Sequence, residues 1–114
     1  MIRPSSFRYN EDTSKDNFFQ SKVDNMNDNE IQLAAIYEFE NMCAILRENG
    51  INIIVCENEK NKNLSDDVFP NNWISFHKDK YVIHSMYAES RWKEKNISFI
   101  ETLNNNGFNY TLLN

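Results

Sequence analysis

The chain has 114 residues, 40% of them hydrophobic and 13% aromatic, so it is long enough for one core, too short for two, and too apolar to be read as disordered. Twelve Lys and Arg against seventeen Asp and Glu give a net charge of -5, which excludes the phosphate-neutralising surface of a nucleic-acid binder. No apolar run approaches the roughly 20 residues that span a bilayer, and Met1-Ile2-Arg3-Pro4-Ser5 is no secretory leader, so no membrane partner and a cytosolic location are expected.

Residues 1–4 read as the end of a short strand stopped by Pro4, and residues 5–29 as a long polar loop anchored by the apolar island Phe18-Phe19-Gln20. From Glu30 the pattern changes. Ile31, Ala35, Phe39, Met42 and Leu46 recur at helical spacing with Cys43 beside them, which predicts a helix over 30–48 closed by Asn49-Gly50. Ile51 to Cys56 is almost continuously apolar and predicts a strand buried on both faces. After a second polar stretch, Val68 to His77 and Tyr81 to Met86 predict two strands joined by a tight turn at Lys78-Asp79-Lys80. Glu89 to Leu103 then reads as a helix with Trp92, Ile97, Ile100 and Leu103 inward, and Phe108 to Leu113 as a last strand.

Cys43 and Cys56 sit in apolar segments without metal-ligand spacing, so they are expected to be buried thiols, with neither a disulfide nor a metal site. His77 and His84 fall near strand ends with no Cys, Asp or Glu in a catalytic spacing, which favours surface or packing roles. An internal echo supports the parse. Leu46-Arg47-Glu48-Asn49-Gly50-Ile51-Asn52 is matched 57 residues later by Leu103-Asn104-Asn105-Asn106-Gly107-Phe108-Asn109, helix end to strand start in both cases. Two generic Gly-capped junctions can coincide by chance, but a repeated strand, helix, strand unit is the alternative.

Two segments carry a family resemblance: Met1-Ile2-Arg3-Pro4 with Phe7, Asn10, Thr13, Asn17 and Phe19-Gln20, and the run Asp66-Asp67-Val68-Phe69-Pro70-Asn71-Asn72-Trp73-Ile74-Ser75-Phe76-His77. Met86-Tyr87-Ala88-Glu89-Ser90-Arg91 with Lys93-Glu94 adds to it. Together they resemble the N-terminal part of the guanidino-group-modifying amidinotransferase and arginine deiminase (pentein) superfamily, closest to its citrulline-utilisation hydrolase branch. The resemblance covers essentially all of residues 1–114 and implies an α/β fold, a partial α/β-propeller with about one and a half to two of five ββαβ modules. It also implies a Cys thiolate that attacks the amidino carbon of a guanidino or ureido amino acid of the arginine or citrulline type, helped by a His and needing no cofactor.

A planar guanidino or ureido group needs hydrogen-bonding atoms in its own plane. In the related dimethylarginine hydrolases the segment matching Asp66 to Asn72 supplies an Asp and an adjacent acidic pair. Here Asp66 keeps the carboxylate, whereas Asn71 and Asn72 replace the pair, and an amide suits a neutral ureido group better than a cation. The resemblance therefore implies Asp66, Asn71, Asn72 and Arg91 as substrate-binding residues. The residue types alone are also compatible with solvated loop carboxylates, strand-entry amides and an exposed helix-start Arg. The chain departs from the family at His84-Ser85, where an aromatic residue and Pro are frequent, at Ser90, where Asn is usual, and at Trp92, where a second Arg is common. Family members nearly three times as long carry the catalytic His and Cys beyond the stretch matched here. The expectation is a truncated, catalytically incomplete member whose uncovered apolar faces make it marginal and self-associating. The alternatives are a split-enzyme subunit with a complementing chain, or a small-molecule-binding domain.

Overall fold

The computed structural model describes residues 1–15, 25–57 and 64–113, with the side chains of Asp12, Thr13 and Ile97 left aside. Asn17 and the island Phe18-Phe19-Gln20 lie outside the described residues, as does Ile97's expected inward face. The order is α1 (Glu11–Ser14), α2 (Asp28–Glu48), β1 (Ile74–His77), β2 (Lys80–Ile83), α3 (Ile97–Asn105) and β3 (Thr111–Leu112), with 3-10 turns at Pro70–Asn72 and Glu89–Glu94. The result is a mixed α/β chain.

The long helix begins at Asp28 because Asn27 builds a reciprocal cap. Its side chain accepts from the Glu30 N–H at 3.0 Å, and the Glu30 carboxylate accepts from the Asn27 N–H at 2.8 Å. Its buried stripe is narrower than the apolar pattern implies. Phe39 and Cys43, one turn apart, are buried, whereas Met42 and Ile45 are exposed. At the far end Gly50 takes φ +81° and the Ile51 N–H reaches back to the Leu46 carbonyl at 3.0 Å. This closes the last turn in the left-handed manner that glycine permits.

The run 51–56 does not form the doubly buried strand expected of it. Among the described residues it pairs in parallel only at Ile2↔Cys56, and Ile51 is 48% exposed. The bridge is held by the Arg3 N–H donating to the Cys56 carbonyl at 3.0 Å and the Cys56 N–H to the Met1 carbonyl at 2.7 Å, and beyond it the Ser5 N–H turns back to the Arg3 carbonyl at 2.8 Å, which takes that segment out of the ladder. The expected strand over Val68–His77 is also shorter, starting at Ile74, because Pro70 opens a 3-10 turn in which the Asn72 and Trp73 N–H groups donate to the Phe69 and Pro70 carbonyls. The hairpin is present as expected. β1 and β2 run antiparallel from Ile74↔Ile83 to His77↔Lys80, with Lys78 at φ 55° in the turn.

The helix expected over Glu89–Leu103 divides in two. Residues Glu89–Glu94 wind as a 3-10 helix, and Asn96 then caps α3 by accepting from the Ser98 N–H at 3.0 Å. An Asn side chain that bonds the backbone ahead of it favours a new start over a continuous helix. β3 returns parallel to β2, giving the sheet order β1-β2-β3.

The core lies where the first return meets the hairpin. Ile2, Cys56, Trp73, Ile74, Met86 and Phe99 form its buried cluster, with Ile54, Tyr81, Ile100 and Leu103 packed around it. Trp73 meets Phe99 edge-on at 5.7 Å between centroids, although its buried indole N–H finds no acceptor among the described residues. Phe76 is 38% exposed and leans on Tyr110, while Trp92, expected inward, is 54% exposed. Cys43 and Cys56 are free and buried, as their apolar surroundings require.

Candidate substrate-recognition site

The polar segment ahead of the hairpin is not a solvated loop. Ser65, Asp66 and Asp67 are buried, and the turn is closed by the Phe69 N–H donating to the Asp66 carbonyl at 3.1 Å. Burying carboxylates is costly unless they are hydrogen-bonded or paired. Two distant residues meet that requirement for Asp66. Asn10 donates its amide to Asp66 Oδ2 at 2.7 Å, and Arg91 Nε lies 3.8 Å from the same oxygen.

Arg91 comes from the Glu89–Glu94 turn, where three residues per turn stack positions i and i+3 on one face. Its partner one turn on is Glu94, whose side chain is only 2% exposed. The two form a bidentate pair, Nε to Oε1 at 2.8 Å and Nη2 to Oε2 at 2.8 Å. Nη2 also donates to the Asp66 carbonyl at 3.3 Å. On the remaining side stands Asn72. A guanidinium has only donors, so the Asn72 amide faces it with its oxygen, which accepts from Nη1 at 3.3 Å and Nη2 at 3.1 Å.

Charge and burial act together on this group. Burial pushes the Glu94 carboxyl above its ordinary value, with the Arg91 guanidinium working against that rise and Asp66 adding to it. For Arg91, burial opposes the charge, but the Glu94 bond and charge with help from Asp66 outweigh it, so the cation is held.

Of the four residues singled out in the sequence, Asp66, Asn72 and Arg91 thus meet in one partly buried cluster. Asn71 is exposed in the adjoining turn. Glu94 and Asn10 were not singled out as site residues. The signal for Glu94 was the Arg91-to-Glu94 spacing of three, which places opposite charges on one helical face. Nothing local marks Asn10, whose partner lies 56 residues away.

The other chemistry-bearing side chains stand apart. Both histidines reach the Ser75 hydroxyl, His77 Nε2 at 3.0 Å and His84 Nε2 at 2.8 Å, on an exposed part of the hairpin. The Cys56 thiol is pushed up by burial, the opposite of what a thiolate nucleophile needs. Among the described residues no three His, Cys, Asp or Glu side chains group as metal ligands, and no helix is long and apolar enough to cross a membrane.

No curated protein sequence and no solved structure matches the chain. Residues 3–114, however, match the family described as N,N dimethylarginine dimethylhydrolase, eukaryotic. With nearly its whole length matched, the chain belongs to the dimethylarginine dimethylhydrolase family, within the pentein superfamily of guanidino-group-modifying proteins.

Proposed function

We propose that this chain carries part of the substrate-recognition surface of a guanidino-group hydrolase, with Asp66, Asn71 and Asn72 turned toward a planar guanidino or ureido group and Arg91 beside them. The observation that carries this reading is the convergence of Asp66, Asn72 and Arg91, which lie in different turns, on one partly buried hydrogen-bonded cluster. Amides in place of an acidic pair favour a neutral ureido amino acid such as citrulline over a cationic arginine, because a urea oxygen accepts whereas a guanidinium only donates.

In the family reaction a thiolate adds to the amidino carbon, the amine leaves with a proton delivered by a His, and water then cleaves the thiouronium adduct. This chain has no thiol suited to that step. Cys43 is fully buried, Cys56 is buried and held as the neutral thiol, and both histidines are bonded to Ser75. The chain by itself is therefore taken to be inactive. Its two parallel strand returns, at Ile2↔Cys56 and Lys80↔Thr111, support a reading as part of an α/β-propeller. A second reading, a subunit completed by another chain, is favoured by Phe108, Leu112 and Leu113, which stay exposed around the β3 edge.

Two measurements test the proposal. Purified protein is expected to release neither ammonia nor ornithine from citrulline, nor a product from arginine or its methylated forms. Turnover that disappears in Cys43→Ser or Cys56→Ser overturns the assigned inactivity. Titration of isotope-labelled protein with citrulline is expected to move the resonances of residues 66–72, and perturbation confined to other residues overturns the assigned recognition surface.

A further inference from the structure

The Arg91 side chain is 15% exposed, and its Nε, Nη1 and Nη2 atoms are all directed at protein acceptors: Glu94, the Asp66 carbonyl and the Asn72 amide oxygen. A guanidinium committed in this way has little left to offer a ligand. What it does control is Asn72. An exposed amide can present either its oxygen or its NH2 to the outside, because the two orientations have nearly the same shape. Facing a group that has only donors removes that choice. The oxygen is drawn inward, and Nδ2 is turned away from the guanidinium.

We infer that Arg91 is a positioning residue, gripped by Glu94, that fixes the hydrogen-bond polarity of Asn72 so that this position offers a donor to a ligand. The inference rests on the reading of residues 66–72 as a recognition surface, and it assigns Glu94 a part in that surface although Glu94 itself is buried. Glu94 clamps Nε and Nη2 side-on, which orients the adjoining Nη1–Nη2 edge of the planar guanidinium at Asn72. A lysine at position 91 keeps the charge but has no plane, so it cannot hold both partners in that geometry. The polarity has a consequence for selectivity. A fixed Nδ2 donor meets the oxygen of a ureido group favourably and the N–H groups of a guanidinium unfavourably.

The experiment follows the side-chain amide of Asn72 by NMR in labelled protein without ligand, in the wild type and in Arg91→Lys and Glu94→Gln. In the wild type the order parameter of the Asn72 amide is expected near the value of rigid backbone, about 0.85. In Arg91→Lys it is expected to fall below about 0.6, the range of flexible groups, while the backbone amides of α2 and α3 keep their dispersion. Glu94→Gln, which keeps one acceptor, is expected to fall between the two. An Asn72 amide equally ordered in Arg91→Lys overturns the inference. Should Arg91→Lys fail to fold, Asn72→Ala at an exposed position serves instead: the Arg91 Nη–H resonances, whose nitrogens face the Asn72 oxygen, are expected to shift, and unchanged resonances overturn the inference.

A citrulline titration separates this inference from the reading beneath it. Loss of Asn72 order in Arg91→Lys without any response of residues 66–72 to citrulline sustains the positioning role and overturns the recognition surface. A citrulline response equal in wild type and Arg91→Lys sustains the surface and overturns the positioning role.

Discussion

The two parallel strand returns of this chain, one ending at Cys56 and the other at Leu113, start from nearly identical helix ends and finish in different surroundings. In the first, the Asn49 side chain donates to the Ile45 carbonyl at 2.8 Å, the Gly50 N–H to Arg47 and the Ile51 N–H to Leu46. In the second, 57 positions on, the Asn106 side chain donates to the Thr102 carbonyl at 2.8 Å, the Gly107 N–H to Asn104 and the Phe108 N–H to Leu103. Both glycines are left-handed, at φ +81° and +88°. Yet Cys56 is 4% exposed and Leu113 48%. The hairpin residues Trp73 and Ile74 cover the first return, and among the described residues nothing equivalent covers the second. Local sequence therefore repeats the cap, while burial depends on which neighbour is present.

The largest way to break this asymmetry is to remove the cover. Trp73→Ala is expected to cost about 3–5 kcal/mol, enough to unfold a chain of ordinary marginal stability. Trp73→Phe is expected to cost much less, because it keeps an aromatic ring in the core and deletes an indole N–H that has no acceptor there. Urea titration followed by tryptophan-independent far-UV dichroism reads both, and equal losses for the two variants would show that ring packing is not what holds the core.

A smaller effect compares the returns directly. Ile2→Ala, at a buried position paired with Cys56, is expected to cost about 2–5 kcal/mol. Leu113→Ala is expected to stay within about 0.5 kcal/mol, and Leu113→Lys to reduce self-association measured by sedimentation. A comparable destabilisation at both positions would mean that the second return is covered after all, by a second copy in solution.

Where the returns are alike, the effects should match. Nothing lies within 4 Å of a Cβ placed at Gly50 or Gly107, so the cost of each Ala substitution is the left-handed backbone alone. That cost is about 1 kcal/mol for either residue, read from thermal or urea midpoints. Unequal losses would separate the two caps that the bond pattern makes equivalent.

The smallest predicted effect is a pH dependence that belongs to the cluster between the returns. Burial raises the Glu94 carboxyl above its ordinary 4.5, so just above that pH the folded chain holds a proton the unfolded chain has released. The stability contributed by Glu94 is therefore fully present at acid pH and falls as pH rises through the raised value. Relative to Glu94→Gln, the wild type is expected to gain stability as pH falls from neutrality toward the ordinary carboxyl value of 4.5. A wild-type curve parallel to that of the variant would remove burial as the dominant influence on Glu94.

Some features needed only the sequence. The helix over 30–48, its Asn49-Gly50 end and the hairpin about Lys78 and Asp79 depend on residues within a few positions of one another, and caps and turns are decided at that range. The run Asp66 to His77, read as a family segment, likewise pointed to the guanidino-group-modifying superfamily to which the family matched by residues 3–114 belongs, though not to that family within it. Other features depended on the tertiary structure. Ile51 to Cys56 has the composition of a buried strand but pairs at one residue, because a ladder needs a partner long enough to follow it. Glu89 to Leu103 has one apolar pattern but splits at Asn96, where a side-chain cap competes with continuation. The joining of Asn10, Asp66, Asn72, Arg91 and Glu94 belongs to the same class. Asp66 looks like a solvated carboxylate until Asn10 and Arg91 arrive from 56 and 25 residues away, and only folding brings the donors that make its burial tolerable.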